Sequence, residues 1–385
     1  MTSVYEDRLQ RIRKAMDSEG MDAIFLMMSS DLQYLTGVIR QPHNPTDENK
    51  HGDELYGSFL TQERGPVFVV PRMGASEYVR RQSEGKPWIE DIVVISDGDD
   101  PVAFAKAVLQ RMGSPRRLGV SGRLWARSIF RLQQASPGLG FADASLPISR
   151  MRAVKDEEET RIMKEAGAMT DQVFGAVLKQ MRVGMTEHDL AEEVNHQIIA
   201  NGGSGMSFHT NVWLKGKGIR PLYCKDGITK NTPIQPGAVI AFDFGIMHHG
   251  YASDFGRVVF CGEPTEHYRR YHDMVMKAQA EAISVMKPGN MTAAQLNRVA
   301  RAVLEEENLA QYFTHRLGHG IGIDVHEPPF LYELDHTVLQ AGMCFTVEPS
   351  LRVPDEIDVR VEDVVQVTEE GGIPFSRFSH GYLVI

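Results

Sequence analysis

The chain has 385 residues, of which 41 are basic and 51 acidic, so its formal net charge at pH 7 is −10. Hydrophobic residues make up 42% and charged residues 24%, a composition that excludes disorder and collagen-like architecture, and the length suits two or three folding units. The acidic surplus argues against nucleic acid or a membrane surface as a partner, because both attract clustered Lys and Arg.

Hydropathy and cysteine content predict a cytoplasmic protein. No apolar run approaches the roughly 20 residues of a membrane-spanning helix, and the N-terminal segment is polar and charged, unlike a signal peptide. Cys224, Cys261 and Cys344 are too few and too scattered for a disulfide framework or a thiolate zinc site. We therefore expect them to be small core residues in a reducing compartment.

The N-terminal part of the chain alternates between helical and strand-like patterns. Helical spacing covers residues 5–18, 102–112 and 124–134, and short apolar runs of strand type cover residues 22–28, 65–70, 92–95 and 118–120. This alternation predicts an α/β domain over residues 1–150. A polar stretch at residues 40–55 predicts a loop that is either solvated surface, a cover over a cleft or a contact with a neighbouring subunit.

A change of character near residue 150 predicts a domain boundary, with a second domain over residues 151–385. Arg150, Arg152 and Lys155 precede an acidic run and then a long helical pattern. Apolar residues recur at every third or fourth position as far as Val177, and Gly184 is the predicted stop of this helix.

A weak internal repeat indicates that this second domain is duplicated. Met181-Arg-Val-Gly-Met-Thr186 resembles Met286-Lys-Pro-Gly-Asn-Met-Thr292, and each copy has a leucine four residues after its threonine. The third residue after each threonine is Asp or Gln, which predicts a capping box at a helix start. We expect each copy to lie between two helices, with strands following.

Two aspartates in neighbouring strand-like runs are the first candidate metal ligands. Asp243 lies in the run 238–245 and Asp254 in the run 251–260, with a His-His-Gly turn between the runs. A hairpin there would direct both carboxylates to one side. Two facing carboxylates repel each other, so they indicate a bound cation, whereas polar caps at strand ends are the simpler alternative.

A glycine-rich segment carries three histidines, His315, His319 and His326, at spacings of 4 and 7 residues. Gly318 and Gly320 flank the central histidine and permit close backbone approach around an imidazole that could bind a metal. The segment lacks the lysine of a phosphate-binding loop and the glycine spacing of a dinucleotide-binding motif, so we exclude both.

Two further carboxylates complete the set. Glu348 lies in Cys344-Phe-Thr-Val-Glu-Pro-Ser350 and Glu362 lies in Val359-Arg-Val-Glu-Asp-Val-Val365, both in strand-like surroundings. Four carboxylates and one imidazole exceed the needs of one zinc ion. They suit two hard or borderline divalent ions that share carboxylate ligands and a bridging water or hydroxide.

This set resembles, in order and in local context, the dinuclear metal site of the pita-bread metallopeptidases, which include prolidase, aminopeptidase P and methionine aminopeptidase. The residues that carry the resemblance are Asp243, Asp254, His319, Glu348 and Glu362. The segments His315-Arg-Leu-Gly-His-Gly-Ile-Gly-Ile-Asp-Val-His326-Glu-Pro and Arg360-Val-Glu-Asp363 are similar to the prolidase and aminopeptidase P branch.

The resemblance extends to the N-terminal half and implies a fold. Ser30-Asp-Leu-Gln-Tyr-Leu-Thr-Gly37 is similar to the segment that opens the creatinase-type N-terminal domain of that branch. The implied architecture is α+β: a C-terminal pita-bread domain with an internal pseudo-two-fold duplication, preceded by a creatinase-type α/β domain.

The resemblance also implies a role for each metal ligand. Asp243 would hold one metal and Asp254 would bridge both. His319 would bind the other metal, with Glu362 bridging. Glu348 would bind that same ion and act as the general base.

Three residues would assist without binding metal. His315 and His326 would line the pocket, contact the substrate and stabilise the tetrahedral intermediate, and Arg360 would orient its neighbours or hold a carboxylate. The implied enzyme cleaves small peptides at Xaa-Pro bonds with two divalent ions, manganese first, with cobalt, iron and zinc also compatible. Because members of this family typically form dimers, the resemblance also implies a homodimer, with the polar segment 40–55 near the partner's cleft.

The sequence departs from the family at one place. Peptidases of this branch usually carry a further pocket histidine before the first aspartate ligand, and here that stretch reads Arg220-Pro-Leu-Tyr-Cys-Lys-Asp-Gly227, which puts Asp226 or a neighbour in its place. His209 is the other candidate. Trp213 and Tyr223 nearby would suit a cationic substrate. A non-peptidase reaction therefore stays open: a small-molecule hydrolase like creatinase or ectoine hydrolase, or a dimethylsulfoniopropionate lyase.

Overall fold

The structure is a computed structural model that describes residues 3–40, 50–72, 74–354 and 356–385. The chain divides into two units, Met1–Arg152 and Ala153–Ile385. Of the segment predicted as a loop at residues 40–55, residues 41–49 lie outside the described residues, and Asp53–Leu55 form a 3-10 helix. No helix in the described ranges is long and apolar enough to cross a membrane.

The first unit is built on one six-stranded sheet. Its helices are α1 (Val4–Glu19), α2 (Ser30–Thr36), α3 (Ala75–Ser83), α4 (Pro101–Arg111), α5 (Ala126–Ala135) and α6 (Ser145–Ala153). Its strands are β1 (Ala23–Met27), β2 (Gly57–Thr61), β3 (Val67–Pro71), β4 (Asp91–Ile95), β5 (Arg117–Val120) and β6 (Gly140–Asp143), in the order β4-β3-β2-β1-β5-β6. β2 runs antiparallel to both neighbours and the other pairings are parallel.

Local signals explain where the elements of this unit begin and end. Ser3 caps α1 and exchanges hydrogen bonds with Glu6, and Gly20 ends the helix in the left-handed conformation at φ 64°. Asp100 caps α4 ahead of Pro101. The predicted helices and strands of this region are all confirmed, whereas α2, α3, α6, β2 and β6 were not predicted.

The second unit combines two helix pairs with antiparallel sheets. Its helices are α7 (Glu157–Gln180), α8 (Glu187–Ala200), α9 (Glu266–Ser284) and α10 (Ala293–Glu305). The strands of its first half are β7 (Gly205–Met206), β8 (Asn211–Lys215), β9 (Val239–Phe244), β10 (Ile246–His248), β11 (Tyr251–Ala252) and β12 (Phe255–Phe260). Those that follow α10 are β13 (Gly318–Gly320), β14 (Glu327–Leu331), β15 (Cys344–Val347), β16 (Ser350–Val353), β17 (Ile357–Arg360), β18 (Asp363–Thr368), β19 (Gly371–Pro374) and β20 (Leu383–Val384).

The strands of this unit form four sheets. Their orders are β11-β10-β7, β20-β12-β9-β8, β14-β13-β15-β18-β19 and β16-β17. In each half a helix pair precedes the strands, which confirms the order predicted from the repeat. Both predicted capping boxes are present, at Thr186 with Asp189 and at Thr292 with Gln295.

The predicted helix stop at Gly184 is wrong. The first long helix ends at Gln180, because Met181 leaves the helix with an extended backbone at ψ 136°. Gly184 lies in the following turn, where its N–H donates to the Ile234 carbonyl at 2.9 Å.

The two halves of this unit are joined by a backbone pair. Gly256 N–H donates to the Glu362 carbonyl at 3.2 Å, and Glu362 N–H donates to the Gly256 carbonyl at 3.0 Å. A Cβ on Gly256 would lie 3.0 Å from Glu362 Cβ, so only glycine allows this approach without a shift. The pairing brings the segment after Asp254 against Glu362.

Candidate metal centre

The hairpin predicted around the first two aspartates is confirmed, with one correction. β9 pairs antiparallel with β12, and Asp243 lies opposite Gly256. His249 and Gly250 close the tip with φ 46° and 80°, as a tight primed turn requires. Asp254, however, lies between β11 and β12 rather than within a strand, because the tip of the hairpin belongs to a separate three-stranded sheet.

His319 lies in β13, where glycines on both sides are required by packing. A Cβ on Gly318 would lie 1.9 Å from the Thr346 carbonyl oxygen, and a Cβ on Gly320 would lie 2.6 Å from the Glu327 carbonyl oxygen. His319 Nδ1 donates to the Gly320 carbonyl at 3.1 Å, which leaves Nε2 as a ligand atom.

Glu348 and Glu362 lie at the ends of neighbouring strands. Glu348 follows β15, and its Oε1 accepts a hydrogen bond from Thr346 Oγ1 at 3.1 Å. The same hydroxyl accepts from His319 N–H at 3.0 Å, so one threonine orients two candidate ligands. Glu362 directly precedes β18.

The structure brings together all the ligands predicted from the sequence. Asp254, His319 and Glu362 each offer an atom within 4.8 Å of the other two. His319 Nε2 lies 3.3 Å from Glu348 Oε1 and 3.7 Å from Asp254 Oδ2. Asp243 joins the group through its hydrogen bond with Arg360.

Arg360 is the cation that faces these carboxylates. Its Nη1 donates to Asp243 Oδ2 at 2.6 Å and lies 3.5 Å from Glu362 Oε2 and 3.7 Å from Glu348 Oε2. Burial lowers the pKa of the Arg360 guanidinium, but the surrounding carboxylates outweigh burial and raise it. Three buried carboxylates therefore share one guanidinium, and a fourth, Asp254, lies beside them.

The protonation of the buried ligands reflects this excess of negative charge. Burial and then the neighbouring carboxylates raise the pKa values of Asp254 and Glu362 well above their usual range. Burial raises the pKa of Glu348 to about 7. Burial and the neighbouring His326 lower the pKa of His319 to about 3, so its imidazole is neutral and able to bind a metal.

The residues fit divalent cations. Asp254 Oδ1 and Glu362 Oε2 are buried and accept no hydrogen bond from the part of the chain that the structure describes. A buried carboxylate oxygen that accepts no hydrogen bond is costly unless a cation lies close to it. An oxygen-rich set with one imidazole suits hard or borderline divalent metals.

The carboxylates open onto a cavity of about 770 Å³. Besides the five candidate ligands, it is lined by Phe208, Asn211, Arg301, Thr314, His315, Arg316, Val325, His326, Phe330, Tyr332, Glu333, Arg352 and Arg360. Sequence reasoning missed most of this wall. Arg316 carried a signal, since it lies inside the histidine motif.

His315 and His326 both line the cavity, but their ring nitrogens differ in availability. His315 Nδ1 donates to the Arg316 carbonyl at 2.7 Å and its Nε2 accepts from Ser350 Oγ at 2.5 Å. The exposed His326 ring lies 4.1 Å from the His319 ring and makes no hydrogen bond with the described residues. His326 is therefore the histidine with nitrogens available to a ligand.

Arg316 supplies an available positive charge in the same cavity. Its guanidinium lies 4.6 Å from the centre of the Phe330 ring, a stacked arrangement that orients it. No described carboxylate forms an ion pair with it. A guanidinium held in this way is suited to a carboxylate of a ligand.

The candidates for a replacement of the missing pocket histidine do not reach the cavity. His209 is exposed and is not among the described residues that line the cavity. Phe208 and Asn211, which are close to it in the chain, do line the cavity. Asp226 is also exposed, and its carboxylate accepts hydrogen bonds from Ile228 and Thr229 that close its own turn. The Arg220–Gly227 stretch therefore gives no substitute among the lining residues.

Trp213 and Tyr223, the aromatic residues near that stretch, are also not available to a cationic substrate in the cavity. The half-buried Trp213 ring lies 5.8 Å from the Arg360 guanidinium carbon and 5.0 Å from Lys230 Nζ. It is therefore already engaged by two cations of the chain. Tyr223 is exposed.

Two family models match the chain. The model described as Creatinase/Prolidase N-terminal domain matches residues 8–154, and the model described as Metallopeptidase family M24 matches residues 161–369. Together they confirm the expected fold class, a creatinase-type N-terminal domain followed by a pita-bread domain.

Relatives of similar length match along nearly the whole chain. An Xaa-Pro dipeptidase of Lactobacillus delbrueckii subsp. lactis is 31% identical over 96% of this chain and 97% of its own. The crystal structure of a dipeptidase from Pyrococcus horikoshii OT3 has a TM-score of 0.83 at 26% identity and covers 98% of this chain and 100% of its own. That of dipeptidase PepE from Mycobacterium ulcerans has a TM-score of 0.82 at 28% identity, covering 99% and 98%.

Proposed function

The chain belongs to metallopeptidase family M24, and on that premise we propose that it is an Xaa-Pro dipeptidase or aminopeptidase that works with two divalent metal ions. The observation that carries the proposal is a set of four buried carboxylates in a cavity large enough for a small peptide, three of them 2.6 to 3.7 Å from one guanidinium nitrogen and the fourth, Asp254, beside them. The names of the relatives support the Xaa-Pro bond as the target.

Five residues would hold the metal ions. These would be the carboxylates of Asp243, Asp254, Glu348 and Glu362 and the imidazole of His319. Two divalent ions, when bound, supply Lewis acidity that makes a water molecule acidic and polarises the scissile carbonyl.

Glu348 acts as the general base. Thr346 Oγ1 occupies its Oε1, which leaves Oε2 to take a proton from the attacking water. As the water oxygen bonds to the carbonyl carbon and the C–N bond breaks, Glu348 passes that proton to the departing proline nitrogen.

His326 and Arg360 support this chemistry in different ways. The free nitrogens of His326 can donate a hydrogen bond to the carbonyl oxygen as negative charge develops on it. Arg360 orients Asp243 through its 2.6 Å hydrogen bond. His315, whose nitrogens are already occupied, forms the wall beside them rather than contacting the substrate through hydrogen bonds.

Arg316 is the residue we assign to the carboxylate of a dipeptide substrate. It is a cation stacked on Phe330 inside the cavity with no carboxylate partner in the described chain. A free C-terminal carboxylate could pair with it through two parallel hydrogen bonds. This would favour dipeptides over longer peptides.

The decisive test is turnover after reconstitution of chelated protein with manganese, cobalt, iron or zinc in separate samples. We expect proline release from Ala-Pro and no release of products from Ala-Ala. Creatine, ectoine and dimethylsulfoniopropionate represent the small-molecule hydrolase and lyase alternatives. Failure to cleave any Xaa-Pro peptide with all four metals would reject the proposal, and turnover of one of the three small molecules would replace it.

Three further features belong to the same proposal. We propose manganese as the native metal, which elemental analysis of protein purified without added metal would check. We propose a homodimer, which light scattering would check by mass. We also propose a cytoplasmic location, for which fractionation of the source cells is the measurement.

A further inference from the structure

A buried ion pair, next in the chain to a residue that lines the cavity, has no role in the proposed reaction. Lys155 Nζ lies 3.2 Å from Glu327 Oε2, and the two side chains are 2% and 4% exposed. Glu327 is the residue directly after His326. A buried ion pair is retained at a desolvation cost, so its position beside a catalytic residue suggests a function.

Glu327 fixes the turn that carries His326. Its Oε1 accepts a hydrogen bond from Asp324 N–H at 2.9 Å. A Cβ on Gly322 would lie 3.0 Å from both Glu327 oxygens and from Lys155 Cε, so the turn backbone rests directly on the ion pair. The Gly322 carbonyl in turn accepts from Ala252 N–H at 2.7 Å, two residues before the ligand Asp254.

Lys155 is itself held in place from the other side. Its N–H donates to the Gly342 carbonyl at 3.0 Å. Glu159 accepts a hydrogen bond from Tyr251 Oη at 3.0 Å, in the strand that leads to Asp254.

His326 depends on its backbone for orientation. It is exposed, makes no hydrogen bond with the described residues, and touches the His319 ring at 4.1 Å between centroids. Among these contacts, the backbone of the turn and the ring of His319 set the direction of the His326 nitrogens. Whatever fixes the turn therefore fixes the histidine.

We propose that Lys155 is a positioning residue: through Glu327 it holds the turn at residues 321–327 so that His326 faces the cavity. The inference rests on the proposed function, in which His326 contacts the substrate carbonyl. A displacement of a catalytic group by about 1 Å can cost about 100-fold in rate. Loss of the ion pair should therefore lower kcat while the metal ligands stay in place.

The test compares Lys155→Met with the paired variant Lys155→Met/Glu327→Met, each alone and in a His326→Ala background. The paired variant removes both charges of this ion pair, so it decides the matter if the single variant does not fold. We expect kcat for Ala-Pro to fall about 10- to 100-fold in the wild-type background with metal content and KM little changed. In the His326→Ala background the same changes should cost almost nothing further.

Two kinetic results would overturn the proposal. One is wild-type kcat in a folded paired variant. The other is an equal loss of kcat with and without His326, which would mean that Lys155 acts on the site by another route. Leu190→Ala, a core truncation in α8 away from the cavity, controls for reduced stability and should keep kcat.

A readout without turnover separates this proposal from the proposed function. In ¹H–¹⁵N spectra of the imidazoles, the His326 signal is the one that disappears in His326→Ala. It should shift in the paired variant and stay unchanged in Leu190→Ala. If the wild-type protein cleaves no Xaa-Pro peptide, the proposed function fails but this shift still tests the positioning, and an unmoved signal would refute it.

Discussion

Buried carboxylates have different partners in the two units of the chain. In the first unit two of the buried carboxylates each face an arginine of their own: Asp31 Oδ1 lies 2.6 Å from Arg152 Nη1, and Glu54 Oε1 lies 3.0 Å from Arg131 Nε. In the second unit Asp243, Glu348 and Glu362 share one arginine, Arg360, with Asp254 beside them. A carboxylate with its own partner contributes to structure, whereas a surplus indicates cations that the chain does not itself supply.

The surplus is local and does not characterise the second unit as a whole. Outside the ligand set, Glu327 pairs with Lys155, and Asp363 pairs with Arg257 at 2.7 Å between Oδ1 and Nη2. Asp363 directly follows the candidate ligand Glu362, so adjacent residues belong to the two classes. The imbalance therefore coincides with the candidate metal centre.

The largest effect should come from removing one of the surplus carboxylates. Asp254→Ala should lose metal and lower kcat/KM for Ala-Pro about 1,000-fold, because Lewis acidity contributes several kcal/mol to such reactions. In chelated protein the same change should raise thermal stability, since it removes a buried repelling charge.

Elemental analysis, kinetics and calorimetry would measure these effects. The exposed Asp226 provides the control, because Asp226→Ala should keep both metal and activity. Full metal occupancy in Asp254→Ala would contradict the comparison between paired and surplus charge.

A paired carboxylate should behave in the opposite way. Arg152→Met leaves Asp31 buried without this arginine and should destabilise the first unit by about 3–5 kcal/mol, with metal content unchanged. Urea unfolding followed by far-ultraviolet circular dichroism would report the loss. A variant that loses metal but keeps its stability would show that the pair belongs to the metal centre instead.

The pH dependence of Glu348 provides the third test, in chelated protein. Its pKa is raised in the folded state to about 7, so the folded state holds the proton more tightly than the unfolded state. The stability due to this proton is present below the unfolded pKa and is lost as pH rises through about 7.

Glu348→Gln removes this titration while other groups titrate as before. The stability of the variant relative to wild type should therefore grow by about 3 kcal/mol between pH 5 and pH 8. Added manganese should favour wild type increasingly over the same range, because metal binds the deprotonated carboxylate. If the difference in stability between Glu348→Gln and wild type stays constant or narrows as pH rises in chelated protein, that result would count against the surplus of negative charge at this site.

The smallest effect should come from replacing Arg316, a cavity arginine with no carboxylate partner among the described residues. Arg316→Gln should lower kcat/KM for Ala-Pro by about 10- to 100-fold, since a hydrogen bond to a charged group is worth about 1.5–3 kcal/mol. Ala-Pro amide, which has no carboxylate, should lose little. Arg298→Gln, at an exposed arginine paired with Glu305, is the control, and equal losses for acid and amide would remove Arg316 from carboxylate binding.

Three helices of the first unit show how burial affects what a sequence pattern reveals. α1 and α4 alternate buried and exposed positions and were predicted, whereas all seven residues of α2 are buried. A helix that is buried all round has no apolar period to read. The Gly184 prediction failed because the helix ends at Gln180, where Met181 takes an extended backbone although it is not a glycine.

The sequence by itself indicated the candidate ligands, because a carboxylate or imidazole in or next to an apolar strand is costly unless a cation or a polar partner meets it. Only the tertiary structure decided which charges are paired and which are in surplus. The Arg360–Asp243 bond joins residues 117 positions apart and the Lys155–Glu327 pair joins residues 172 apart. Strand register and turn geometry across the whole unit bring such partners together, and no local pattern of residues specifies them.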